Sequence, residues 1–223
     1  MTAALARMSV HDTELEHGLR SLGLSLSNDA CAKLVQYVEL LAKWNRTYNL
    51  SAIREPAQMV THHLLDSLAV VPHLPQQPAG VRVLDVGAGA GLPGIPLAIA
   101  RPRWDVVLID SNQKKAAFLT QATIELALSN VRAVAARVED FVDATPFDIV
   151  ISRAVADLRT FVHLAAKHAA PNGRLYAMKG TFPADGIAAL PPTIEVVGTP
   201  ALHVPGVDAA RHLIVMTKRP NRE

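Results

Sequence analysis

Two patterns of apolar spacing divide the chain. From Val81 onward, short runs rich in β-branched residues alternate with segments whose apolar residues recur every three or four positions; before residue 78 only the second spacing occurs. The alternation is the mark of a parallel sheet with crossover helices. It predicts strands over 81–86, 105–109, 131–135, 147–151, 173–178, 193–199 and 211–217, with helices near 94–101, 112–128, 157–169 and 182–190. A loop holding Pro200, Pro205 and Gly206 joins the last two strands, which suits an antiparallel hairpin at the end of a seven-stranded, mostly parallel α/β sheet.

Upstream, Leu15, Leu19, Leu22 and Leu26 predict a short amphipathic helix within 12–26 that glycines interrupt. Leu34, Val35, Val38, Leu41 and Ala42 form the apolar face of a second helix over 29–45, capped by Ser27 or Asn28. Residues 44–53 (WNRTYNLSAI) read as a polar linker, because Asn and Ser side chains bind nearby backbone in preference to helix. A third helix is expected from Pro56 to Val71. Pro72, Pro75 and Pro78 then mark a boundary between a helical extension, 1–78, and an α/β domain, 79–223.

The most concentrated chemistry lies in residues 81–99, VRVLDVGAGAGLPGIPLAI. An apolar strand reaches Asp85, three glycines follow at Gly87, Gly89 and Gly91, and a helix opens near Pro93 and Pro96. Glycines let a backbone turn sharply and let a ligand lie against main-chain N–H groups. Gly89, Gly91 and Gly94 also satisfy the dinucleotide fingerprint G-x-G-x-x-G. The frame D-x-G-x-G-x-G from Asp85 fits better. A carboxylate at the strand's end repels a pyrophosphate but suits the ammonium and sulfonium of S-adenosylmethionine. A nicotinamide cofactor and a ligand-free structural turn are the alternatives.

Composition narrows the setting. The chain of 223 residues has no apolar run near the length of a membrane span and no convincing signal peptide, so a soluble, cytoplasmic protein is expected. Its single cysteine, Cys31, excludes an intramolecular disulfide and reads as a small hydrophobe in a helix. The net charge of +2 is too small to argue for nucleic acid, although residues 1–78 carry −1 and the remainder +3. Aromatic residues make up only 4%, so RNA binding would rest on phosphate contacts and shape, without the stacked platform of single-strand binders.

Residues at the carboxyl ends of parallel strands are those placed to meet a ligand. Asp110 ends the second strand, where a carboxylate can accept both ribose hydroxyls or cap the helix beginning SNQKK. Arg137, Val138 and Glu139, with Asp140, follow the third strand, at the position of an adenine edge. The fourth ends in Ile151-Ser152-Arg153-Ala154. It lacks the Asn/Asp-Pro-Pro-aromatic turn used on exocyclic amines, and the cysteine nucleophile of carbon-5 pyrimidine methylation is missing. A nitrogen with a free lone pair, such as guanine N7, needs no general base. Lys114, Arg137, Arg153 and Lys179 are candidate holders of a cofactor carboxylate or of RNA phosphates. The adjacent His62 and His63 diverge too far on a helix to share a metal easily, and Asp66 stands ready to cap or to pair with a histidine.

Taken together, LDVGAGAGLPGIPLAI, LIDSNQKKAAFL and ISRA, with YNLSAI and HHLLDSL upstream, resemble the bacterial small-subunit ribosomal RNA guanine-N7 methyltransferases, also known as glucose-inhibited division protein B. The resemblance runs from about Trp44 to Lys179. It implies a class I, Rossmann-like S-adenosylmethionine-dependent methyltransferase with a small N-terminal helical extension, acting on N7 of a guanine in the 530 loop of 16S rRNA. By position, the family's cofactor contacts fall on Gly87, Leu92, Val138, Glu139 and Arg153, with Asp85 and Asp110 expected nearby. Basic residues important for activity fall on Lys114, Arg137 and Lys179. The implied partner is 16S rRNA or the small ribosomal subunit, with no membrane and no metal, and the protein is expected to be a monomer. The segment from about Pro183 on is less distinctive, and nothing is carried over to it. A small-molecule methyltransferase, a nicotinamide-dependent oxidoreductase and a non-catalytic RNA-binding protein are the competing readings.

Overall fold

The structure, a computed structural model, describes residues 10–77, 79–153 and 157–219. Pro78 of the expected boundary and Ala154 of the ISRA motif lie outside them. Seven strands form one sheet in the order β3-β2-β1-β4-β5-β7-β6. They are β1 (Arg82–Val86), β2 (Asp105–Asp110), β3 (Val131–Ala135), β4 (Phe147–Ser152), β5 (Ala169–Lys179), β6 (Ile194–Gly198) and β7 (His212–Lys218). The first five run parallel, whereas β7 inserts antiparallel between β5 and β6. The mostly parallel sheet with its terminal hairpin is thus the one the spacing predicts.

Strands buried on both faces need apolar residues at successive positions, and these have them. Val83, Val106, Leu108 and Ile149 face one helical layer, while Leu84, Val107, Ile109 and Val150 face the other. The first layer holds α1 (Val10–Ser21), α2 (Asn28–Tyr48), α5 (Gly94–Ala100) and α6 (Gln113–Glu125). Leu34, Tyr37 and Leu41 of α2 share its core with Leu97 of α5 and Phe118 of α6. The second layer holds α7 (Leu158–Ala165) and α8 (Ala184–Ala188).

The elements depart from their predicted bounds for identifiable reasons. Helix α1 stops at Ser21, short of Leu26, and its Gly18 does not interrupt it. A Cβ on Gly18 would stand 2.3 Å from Leu65 Cδ1, so the glycine permits close helix packing. Helix α2, capped by Ser27, absorbs the first half of the predicted linker and ends at Asn49, whose φ is 49°. Trp44 packs edge-on against Phe118 at 5.6 Å, and buried Asn45 spends its amide on the loop beyond the helix. Its Nδ2 donates to Ile53 O and its Oδ1 accepts from Ser51 N, each at 2.8 Å. The third helix changes pitch, as α3 (Pro56–Met59), a π-helix (Val60–Leu65) and α4 (Asp66–Leu68), followed by a 3-10 turn (Val71–His73). Strand β5 starts at Ala169, earlier than predicted, because Pro171-Asn172-Gly173 is taken up as an irregularity in its pairing with β4. Cys31 lies half-buried on α2.

Candidate active site

Strand order reverses between β1 and β4, and in open α/β sheets ligands bind beyond the carboxyl ends at such a point. The glycine turn leaves β1 there. Gly87 has φ +67°, and a Cβ built on it meets nothing within 4 Å, so the backbone lies bare against open space. Its N–H and that of Ala88 both donate to Ile109 O, which fixes the turn to β2.

Asp85 is not at the strand tip beside that space. The strand continues to Val86, and alternation turns the Asp85 side chain, fully buried, beneath the turn toward α5. Its Oδ2 accepts from Gly94 N at 2.8 Å, while Oδ1 has no hydrogen-bond partner among the described residues. A Cβ on Gly94 would come within 2.7 Å of that carboxylate, so the close approach requires glycine. Burial pushes the Asp85 carboxyl up to about 7, against the pull of the Gly94 N–H and the positive charge of Arg153.

A cleft of about 350 Å³ opens beside the turn, and it brings together Gly87, Asp110, Arg137, Val138 and Glu139. Asp110 does not cap the following helix. Its Oδ2 accepts from Gly89 N at 2.9 Å and its Oδ1 from Asn112 N at 2.8 Å, while Asn112 caps α6 through Lys114 N and Lys115 N. Each carboxylate oxygen of Asp110 still has acceptor capacity for a hydroxyl in the cleft. Val138 is held from behind, its carbonyl accepting from His168 Nε2 at 2.9 Å.

A second cleft, of about 440 Å³, lies at the ends of β4 and β5 and is lined by Arg153, Lys179, His62, His63 and Arg211, among others. Asp66 does not pair with a histidine. With a side chain only 4% exposed, it accepts from Arg153 Nη1 at 3.1 Å and from Arg211 Nε at 2.8 Å. Arg153 Nη1 also donates to His62 O at 3.1 Å. His63 donates from Nδ1 to His62 O at 3.0 Å and accepts at Nε2 from the Ser51 hydroxyl at 2.7 Å. Burial and the neighbouring Arg153 push His63 down to about 4, which keeps the ring neutral. Burial also lowers Lys179, with Asp157 opposing.

The predicted set therefore divides. Five members line the first cleft and two, Arg153 and Lys179, line the second. Leu92 is buried in the core, and Lys114 is exposed on the first turn of α6; neither lines either of these two clefts. Lys115, one residue on, lines the first. Arg211 carries no local signal in the sequence. An antiparallel strand, however, begins at the edge where its parallel neighbours end, and Lys179 pairs with His212. The predicted terminal hairpin is the sequence feature that places it at this edge. A wider hollow of about 810 Å³, lined by Gly80, Asp148 and Arg174, sits at the opposite, amino edge of the sheet.

A bare glycine turn at the switch point and an acid ending β2 beside it fit the adenosine portion of S-adenosylmethionine, while the Asp85 carboxyl braces the turn from beneath. Solved structures share the fold. The N-methyltransferase NodS from Bradyrhizobium japonicum, crystallised with S-adenosyl-L-homocysteine, aligns with a TM-score of 0.54 at 18% identity over 83% of this chain and 98% of its own. TrmN from Thermus thermophilus aligns with a TM-score of 0.54 at 20% identity over 72% of this chain and 53% of its own. Fold and site define an S-adenosylmethionine-dependent methyltransferase. A family model described as rRNA small subunit methyltransferase G matches residues 30–214. Proteins named ribosomal RNA small subunit methyltransferase G are similar along almost the whole length. The one from Nitrosospira multiformis is 49% identical over 92% of this chain and 97% of its own, and that from Chromobacterium violaceum 48% over 94% and 99%. The chain belongs to the rRNA small subunit methyltransferase G family.

Proposed function

We propose that this protein methylates N7 of a guanine in the 530 loop of 16S rRNA, acting as a cytoplasmic monomer on rRNA or the small ribosomal subunit. The observation that carries this reading is the second cleft. Lys179 and Arg211 give it charge of the sign that phosphates require, Arg153 adds a cation for the cofactor's carboxylate, and its own carboxylate, Asp66, is held between the two arginines. A site whose acid is so engaged suits a nucleophile that sheds no proton. Gly87, Asp110, Val138 and Glu139 would hold the adenosine half of the cofactor and Arg153 its carboxylate, with Asp85 and Leu92 supporting the turn from behind. Arg137 and Lys179 would hold RNA phosphates, and Lys114 would do so from the rim. When bound, the cofactor supplies a methyl group activated by its positive sulfur. The chain's part is to align N7 with that methyl and to neutralise the backbone of the loop, whose unstacked bases cost little to present. Residues 1–78 serve in the same proposal as an extension that buttresses the methyltransferase domain, 79–223.

Unmodified 30S subunits incubated with the protein and radiolabelled S-adenosylmethionine should take up one methyl group. Strand scission at 7-methylguanine should then cut 16S rRNA once, within the 530 loop. Label confined to small metabolites, or a cut elsewhere, would overturn the reading.

A further inference from the structure

The chain has five phenylalanines. Phe118, Phe141, Phe147 and Phe161 are buried, whereas Phe182 is 44% exposed. It follows β5, three residues past Lys179, and is held in place by a neighbour. The Phe182 and His212 rings meet edge to face with centroids 5.4 Å apart and planes at 70°. His212 is itself fixed, its Nδ1 donating to Gly180 O at 3.1 Å. Lys179, Gly180 and His212 all line the second cleft, so the exposed ring stands at its rim.

Leaving a phenyl ring in water forgoes a favourable burial, and a loop could have placed a polar residue there. What an aromatic ring offers at the rim of a cationic nucleic-acid cleft is a flat surface for a base drawn out of its stack. The low aromatic content excludes a platform for a run of bases, but one ring suffices for one base. The reaction adds a second reason. The N7 lone pair forms the new N–CH3 bond while the S–CH3 bond breaks, the sulfonium leaves as a neutral thioether, and no proton is lost. The purine ring thus acquires the positive charge. Arg153, Lys179 and Arg211 oppose that charge, whereas the face of an aromatic ring attracts it, and more strongly as it develops.

We propose that Phe182, braced by His212, is the stacking surface for the target guanine and favours the cationic product-like ring over the neutral one. This rests on the reading of the second cleft as the rRNA site. The test compares wild type with Phe182→Ala, Phe182→Leu and Phe182→Trp on 30S subunits. Two quantities are measured, binding of fully methylated and unmethylated subunits without cofactor, and kcat/KM with it. Phe182→Ala should lower kcat/KM roughly tenfold or more and weaken binding of methylated subunits more than unmethylated ones. S-adenosylmethionine affinity should stay within about twofold, which also reports the fold intact. Phe182→Trp should restore both quantities, and Phe182→Leu, apolar but without a ring, should not. Wild-type values for Phe182→Ala, or equal rescue by leucine and tryptophan, would overturn the proposal while leaving the proposed function standing. A wild-type protein that transfers no methyl to subunits would take down both.

Discussion

Asp85 shows how one side chain can be legible in kind and not in orientation. The acid before the glycines is evident in the sequence, and its position suggests direct contact with a ligand. A single further strand residue, Val86, instead reverses the facing and sends the carboxylate into the core, where Gly94 N–H satisfies one oxygen. The consequence for stability has a definite sign. In the folded protein the group titrates at about 7, above its ordinary value of 3.8, so between these limits the native state holds a proton that the unfolded chain releases. Its contribution is complete below about pH 3.8 and is lost as pH rises through 7. Asp85→Asn keeps an acceptor for Gly94 N–H and removes the titration. The melting temperature of Asp85→Asn relative to wild type should therefore climb from pH 4 to 7 and level off above. A difference that stays constant across that range would refute the assignment.

Among the elements, the helix pattern and the order of strands were readable because burial enforces periodicity on each. The extent of α2 was not, since Asn45 and Tyr48 look like linker residues until their partners in space are known. Nor was the link between α2 and the glycine turn. Tyr37 is fully buried and its hydroxyl donates to Ala90 O at 2.6 Å, within the glycine turn. In sequence it is one apolar position on a helical stripe. Tyr37→Phe should leave that carbonyl short of a buried partner and cost about 1–2 kcal/mol in denaturant unfolding. It should also weaken S-adenosylmethionine binding several-fold in calorimetry, without changing subunit affinity at saturating cofactor. Unaltered cofactor affinity in a destabilised variant would confine Tyr37 to a packing role.

For the molecule as a whole, the class of fold was visible because a parallel sheet covered on both faces needs runs of apolar residues. Half of the candidate site was legible too, because a glycine turn and an acid ending a strand carry their own signal. The second cleft was less so. It is assembled from the pitch change at Val60–Leu65, the end of β4 and the start of β7, segments that only the sheet topology brings together. That topology also joins the helical extension to the sheet through one continuous apolar layer. Trp44 on α2 and Trp104 before β2 report the two regions. Unfolding followed through Trp44→Phe and through Trp104→Phe should give coincident curves. Leu41→Ala, from a position with no exposed surface, should shift both by the same amount, about 2–5 kcal/mol. Two separated transitions would mean that the extension folds on its own.

The bond from Tyr37 to Ala90 bears on how such a catalyst can be divided. A fragment cut at residue 79 would retain every strand and the glycine loop, yet that bend would have lost the strut that holds it from outside. The face once covered by α2 would stand bare to water. Helix α2 is in this sense a structural member of the glycine turn, and the sheet without it is not a transplantable module.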